Sequence, residues 1–194
     1  MIVMTNIMRS KLLFAPVATN QTYAIDLSQP PSFKKLRDLA QFLFKTYPTD
    51  ISVLNELAYG FAAVGDFISV NAVRGQLQVL NRLEGLADFA RVDFSTHFAE
   101  KAKKRNVTSA HIAERFDTAL GVVHQQGFTP LTSEFILDEW DTTASLRFVV
   151  AGTTQQRTHL GGCIADTIVG QYDDDLGDLI TFGVTPPPEF AYAV

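Results

Sequence analysis

Residues 130–151 read PLTSEFILDEWDTTASLRFVVA, and across this stretch the spacing of the apolar residues becomes that of β-strands. Before Pro130 the apolar residues recur every three or four positions, which is typical of helices, whereas beyond it they tend to alternate with polar ones. Segments 134–140 and 144–151 flank Asp141-Thr142-Thr143 and therefore predict a β-hairpin. The chain thus changes from helical to strand-rich near residue 128.

Upstream of this change, amphipathic periodicity predicts about five helices. Pro48, the Gly65-Asp66 pair and Gly127 are helix breakers or C-terminal residues and mark three of the expected ends. We expect the helices at residues 33–47, 51–64, 67–83, 86–104 and 109–126. Residues 1–31 are expected to be irregular or extended, with β-compatible runs at 11–14 and 22–25.

Downstream of the hairpin, the pattern predicts two more strands, at residues 163–170 and 179–184, after a polar loop at 153–158. Three consecutive prolines at 186–188 end regular structure. The expected fold class is α+β, an N-terminal helical bundle or set of hairpins followed by an antiparallel sheet of about four strands. We divide the chain into an extended segment 1–31, a helical part 32–127 and a strand-rich part 128–194. One continuous domain is compatible with this division.

The bulk composition is that of a globular protein. Of 194 residues, 46% are hydrophobic and 19% charged, which excludes wholesale disorder. Cys163 is the single cysteine, so an intrachain disulfide is impossible. Neither a signal peptide nor an apolar run of membrane-spanning length is evident. A cytoplasmic protein without membrane contact is expected.

The net charge of −5 conceals two parts of opposite sign. Residues 1–107 hold 13 Lys and Arg against 9 Asp and Glu, and residues 108–194 hold 3 against 12. The acidic part repels nucleic acid and anionic membranes and attracts basic surfaces. We therefore expect a protein partner with a basic surface.

Two acidic segments are the candidate partner-binding surface. One contains a tryptophan, which is a frequent interface anchor, and the other is a turn rich in aspartate. Because the spacing in that turn differs from an EF-hand, no metal is assigned to it, and no cofactor or catalytic residue is assigned elsewhere. The candidate residues are Asp138, Glu139, Trp140, Asp141, Asp173, Asp174, Asp175 and Asp178.

These observations favour a non-enzymatic binding module of the inhibitor, immunity, adaptor or nucleic-acid-mimic type. In a simpler alternative, the two charged parts attract each other within one chain or between copies of it. Measuring oligomeric state against salt distinguishes these, because screening weakens a charge-driven assembly.

Two other functions stay open from the sequence. His159, Cys163 and Asp166 bring together the residue types of a small hydrolase or transferase. Residues 107–116, VTSAHIAERF, resemble the first helix of a helix-turn-helix, with the basic run 101–105 before it. This resemblance implies a DNA-binding regulator using residues 101–126, but the acidic hairpin disfavours contact with phosphate.

Overall fold

The computed structural model describes residues 2–6, 13–14, 23–24, 33–63, 65–82, 92–138, 141–173 and 175–187, and the architecture below is that of these residues. It is a mixed α+β fold, which confirms the expected class. In chain order the elements are β1 (Ile2–Asn6), β2 (Leu13–Phe14), β3 (Tyr23–Ala24), α1 (Phe33–Thr46), α2 (Ile51–Ala63), α3 (Phe67–Val79), α4 (Val92–Lys104), α5 (Ser109–Gln125), β4 (Thr132–Asp138), β5 (Thr143–Val149), α6 (Thr154–Gln171), a short 3-10 helix (Asp175–Asp178) and β6 (Ile180–Thr185). β2 and β3 form a small antiparallel pair.

α5 is the central helix of the helical layer. Nine of its seventeen residues are buried, and it packs against both α1 and α6. Helices α1 to α4 follow one another in space as they do in sequence. None of the described helices combines the length and the hydropathy that crossing a bilayer requires.

Phenylalanine side chains link the helices to one another and to the sheet. Phe33 on α1 lies 3.8 Å, centroid to centroid, from Phe116 on α5, and Phe116 lies 5.4 Å from Phe148 on β5. Phe67 on α3 packs edge-on against Phe98 on α4 at 5.4 Å. Edge-on pairs such as Phe116–Phe148 and Phe67–Phe98 add about 0.5–1.5 kcal/mol beyond the area that they bury. One hydrophobic core therefore runs from α1 to β6.

Four of the helices end in the same backbone turn. After α2 and α5, Gly65 and Gly127 adopt positive φ, as their sequence positions indicate. After α3 and α4, the same left-handed position is taken by Asn81 and Asn106, with φ of 53° and 56°. The Arg82 N–H then donates to the Leu77 carbonyl at 2.9 Å, so α3 ends at Val79 and not at the expected residue 83.

The main sheet has four strands in the order β1-β4-β5-β6. β4 and β5 form the expected antiparallel hairpin, and β1 pairs antiparallel with the other edge of β4. β6, however, runs parallel to β5, with Ala144 opposite Ile180 and Phe148 opposite Val184. The prediction of an all-antiparallel sheet is therefore wrong at this pairing. The C-terminal part supplies three strands, and the N-terminal segment supplies the fourth.

The strand expected at residues 163–170 is instead the second half of α6. Thr153, placed in a polar loop by the sequence pattern, is the N-cap of this helix: its hydroxyl accepts from the Gln156 N–H at 3.2 Å, and the Gln156 side chain accepts from the Thr153 N–H at 2.8 Å. This reciprocal capping box satisfies two N–H groups that a helix start leaves unpaired. Leu160 and Ile164 are buried one turn apart and anchor α6 against the core. α6 is thus the crossover that a parallel β5–β6 pair requires.

Candidate functional site

The first acidic segment is the turn between β4 and β5. Asp138 ends β4 and Asp141 lies in the turn, and both are exposed. The Asp141 N–H donates to the Asp138 carboxylate at 3.3 Å, and Thr142 takes a positive φ of 53°. The turn therefore presents two carboxylates at the tip of the hairpin. Glu139 and Trp140 lie outside the described residues.

The second acidic segment lies between α6 and β6. Asp173 is exposed directly after the C-cap of α6, and Asp175 and Asp178 are the first and last residues of the 3-10 helix. Leu176 is buried and anchors this short helix to the core. The segment is therefore fixed on the molecule by an apolar side chain while the Asp178 side chain stays 68% exposed. Asp174 lies outside the described residues.

The basic end of α4 joins the two acidic segments. The Lys101 ammonium donates to the main-chain carbonyl of Asp141 at 2.8 Å and to that of Asp178 at 2.9 Å. Since one ammonium contacts both carbonyl oxygens, the β4–β5 turn and the end of the 3-10 helix lie side by side. We call the exposed aspartates of these two segments, Asp138, Asp141, Asp173 and Asp178, the acidic end.

An ion pair reinforces this contact. The Arg105 guanidinium lies 2.5 Å from the Asp178 carboxylate. The hydrogen bond from Arg105, together with its positive charge, lowers the pKa of Asp178 below its usual range. Because the pair is largely exposed, its contribution to folding is small and depends on salt.

Sequence reasoning selected the acidic residues but missed their internal partners. The basic run 101–105 was interpreted as part of the helix-turn-helix resemblance. Lys101 and Asp178 are 77 residues apart, and no pattern near either residue indicates that they meet. The segregation of charge along the chain suggested an attraction between the two parts, but it did not identify the residues that meet.

His159 and Cys163 are brought together on α6. Their spacing of four residues places them on one face of the helix, and Cys163 Sγ lies 3.6 Å from His159 Nε2. His159 is exposed and Cys163 half-buried at the edge of the core. Asp166 follows His159 by seven residues, a rise of about 10 Å along a helix, so these three side chains do not form a hydrogen-bonded relay. The pair can exchange a proton or share a ligand.

The helix-turn-helix arrangement is not formed. A helix-turn-helix needs a turn after Phe116, but α5 continues unbroken to Gln125, in agreement with the helix expected at residues 109–126. The Arg115 side chain is buried, and its guanidinium carbon lies 3.6 Å from the centre of the Tyr172 ring. The Tyr172 hydroxyl is in turn 2.6 Å from the Thr118 hydroxyl. This part of α5 therefore packs against the end of α6 and is not a free recognition helix.

A buried polar cluster lies between the starts of α3 and α5. Asp66, only 1% exposed, accepts from the Ser69 N–H at 3.0 Å and from the Ser109 hydroxyl. Burial raises the pKa of Asp66 above its usual range, although the hydrogen bonds from both serines act in the opposite direction. No sequence pattern singles out Asp66, because an aspartate after a glycine is common in surface turns.

Comparison with known proteins adds no relative: no family model, no curated protein and no solved structure matches this sequence. Within the described part of the chain, no three His, Cys, Asp or Glu side chains are grouped so that they could hold a metal ion. Function must therefore be inferred from the acidic end, the His159–Cys163 pair and the buried cluster.

Proposed function

We propose that the protein is a non-enzymatic binding module whose acidic end docks onto a protein partner with a basic surface. The observation that supports this proposal is that the Lys101 ammonium donates hydrogen bonds to the main-chain carbonyls of both Asp141 and Asp178. The acidic end already binds an ammonium and a guanidinium from its own chain. The same groups on a partner would find the same kinds of acceptor.

The chemistry of the acidic end suits basic side chains for two reasons. Main-chain carbonyls and carboxylates accept hydrogen bonds, and Lys and Arg are donors without acceptors. Charge-assisted hydrogen bonds of this kind are roughly twice as strong as neutral ones. Leu176 anchors the 3-10 helix to the core, which reduces the conformational entropy lost when Asp178 and its main-chain carbonyl bind a partner.

The internal contacts account for only part of the acidic charge. Arg105 pairs with Asp178, whereas the carboxylates of Asp141 and Asp173 are exposed on the described surface. In the competing account, the charges of the two parts serve only to hold the chain together. Neutralising the side chains of Asp141 and Asp173 distinguishes these two accounts and leaves the Arg105–Asp178 ion pair intact.

The test compares two variants with the same change in net charge. Asp141→Asn/Asp173→Asn neutralises the acidic end, and Glu56→Gln/Glu100→Gln neutralises two exposed carboxylates on α2 and α4. Each protein is immobilised and used to capture binders from its native host, with identification by mass spectrometry. We expect binders shared by wild type and the helix variant to be lost from the acidic-end variant and to be released by salt.

A set of binders that is the same for all three proteins would contradict the proposal. The oligomeric state of each protein is measured against salt in parallel. A dimer of the wild type that disappears in the acidic-end variant alone would identify self-association in place of a separate partner.

A further inference from the structure

His159 and Cys163 on α6 are side chains of the kinds that bind transition metals, and neither belongs to the acidic end. His159 and Cys163 occupy positions i and i+4, the spacing that places both histidines of a zinc-binding helix on one face. Imidazole nitrogen and thiolate sulfur are the donors that Zn²⁺ and related transition metals prefer. His159 is exposed, and Cys163 is half-buried at the edge of the core.

The distance between the two donor atoms fits a shared metal ion. In tetrahedral zinc sites the Zn–S bond is about 2.3 Å and the Zn–N bond about 2.0–2.1 Å. At a tetrahedral angle these bonds place sulfur and nitrogen about 3.6 Å apart. The observed separation of Cys163 Sγ and His159 Nε2 is 3.6 Å. A metal ion could therefore bind both donors with little movement of either side chain.

The described residues of one chain supply two of the four ligands of such a site. A closed tetrahedral site needs four ligands, and in the described residues no third His, Cys, Asp or Glu joins the pair. A second copy of the chain, related by a two-fold axis through the metal, would supply the other two. The result is a Cys2His2 site, one of the common structural zinc sets.

The surface beside the pair allows another copy to come close. Gly162 is exposed next to Cys163, and no atom lies within 4 Å of the position that a Cβ would take there. A helix with little side-chain bulk at this point can approach its symmetry mate closely.

We propose that His159 and Cys163 bind a zinc-class divalent transition-metal ion and that two copies of this chain share it. Binding converts the thiol to a thiolate, forms the metal–sulfur bond and releases the thiol proton to solvent. The imidazole binds through Nε2 in its neutral form. No oxidant or reductant takes part, and the inference is independent of the proposed function of the acidic end.

Cobalt(II) is the probe, because its bonds to thiolate absorb in the near ultraviolet. The reduced protein is titrated with cobalt while absorbance and molar mass by light scattering are recorded. We expect a thiolate-to-cobalt charge-transfer band that saturates at one cobalt per two chains, together with a dimer that a chelator returns to monomer. Zinc should displace the cobalt and abolish the band while keeping the dimer.

The variants separate this site from other surface ligands. His159→Ala and Cys163→Ser should each abolish the band and the metal-dependent dimer, whereas His97→Ala, an exposed histidine on α4, should leave both unchanged. Circular dichroism confirms that every variant is folded. Absence of the band in wild type, its persistence in His159→Ala, or saturation at one cobalt per monomer would each overturn the proposal.

Discussion

Asp66 joins the starts of two helices through one buried carboxyl group. It caps α3 through the Ser69 N–H, and it accepts from Ser109 at the first residue of α5. The hydroxyl of Ser69 also lies 3.3 Å from that of Ser109, which closes the cluster. A charged carboxylate here keeps its hydrogen bonds but loses its hydration, and the second effect is the larger one.

This burial gives folding stability a dependence on pH. Because the folded-state pKa of Asp66 is raised, the folded protein holds this proton at pH values where the unfolded chain has released it. The stability contribution is therefore complete below the unfolded pKa, near 3.8, and is lost as the pH rises through the folded pKa. We expect Asp66→Asn, which keeps an oxygen to cap α3, to remove this loss in urea unfolding measured across the acidic range.

Asp50→Asn is the matched control, because Asp50 caps α2 by the same kind of bond to the Val53 N–H at 3.1 Å but is only partly buried. The control should retain the loss of stability with rising pH. If the loss disappears in Asp50→Asn and persists in Asp66→Asn, the pH dependence does not come from the buried cluster.

Some residue roles cannot be predicted from the neighbouring sequence. Asp117 on α5 accepts from the N–H groups of Phe33 and Lys34 at 2.6 and 3.2 Å, so it caps α1 across 84 residues of chain. Local capping rules search within four residues of a helix start and cannot find such a partner. Gly127 is the opposite case, since its place after α5 was predicted from the sequence.

At the scale of the elements, α6 shows that residues favouring a strand can outweigh a helix-start pattern when structure is predicted from sequence. Adjacent glycines at 161 and 162 weaken helix propensity, and the β-branched residues that follow favour a strand. Thr153-x-x-Gln156 is a helix-start pattern, but the prediction of a strand rested on the residues that follow it. Packing of Leu160 and Ile164 against the core then compensates for the glycines, which no propensity scale includes.

Gly75 offers a direct test of the cost of glycine within a helix. It is exposed in α3, and no atom lies within 4 Å of the position that a Cβ would occupy. We expect Gly75→Ala to raise the free energy of unfolding by about 1 kcal/mol, measured by urea titration, because alanine loses less backbone entropy on folding.

Gly127→Ala is the control, and it should change stability in the opposite direction. Space is also open at Gly127, but its φ of +78° is strained for any residue with a Cβ, at a cost of about 1–2 kcal/mol. A stability decrease for Gly75→Ala of similar size would contradict the expected gain at this open helical position.

At the scale of the whole molecule, some of the basic residues of the first part contact acidic residues of the second part within the fold. Opposite charges 73 residues apart meet where Arg105 binds Asp178, and Lys101 bridges the two acidic segments. The α+β class and the β4–β5 hairpin followed from periodicity in the sequence. The parallel strand and the docking of α4 did not, because both depend on contacts distant in sequence.

The Arg105–Asp178 contact predicts a coupling that is sensitive to both salt and pH. In a double-mutant cycle with Arg105→Ala and Asp178→Asn, we expect a favourable coupling energy at low salt that disappears at high salt. The pKa of Asp178 is lower in the folded state than in the unfolded chain. The contact therefore stabilises the fold at pH values above the unfolded-state pKa, and this stabilisation is lost as the pH falls through the folded-state pKa.

Lys103→Ala replaces Arg105→Ala in the control cycle, because Lys103 is exposed in the last turn of α4, two residues before Arg105, and carries the same charge. Its coupling to Asp178→Asn should be near zero under all conditions. Equal coupling for both residues would mean that the general charge of α4, and not the specific contact, is responsible.

The parallel pairing of β5 with β6 also sets an order of assembly. β4 and β5 are neighbours in sequence and can form their hairpin starting at the turn, whereas β6 is separated from β5 by the whole of α6. During synthesis the helical layer and the hairpin can therefore form while the chain lengthens. The free edge of β5 is covered only after residues 180–185 have left the ribosome. Until then it is the edge on which a nascent chain is open to pairing with foreign strands.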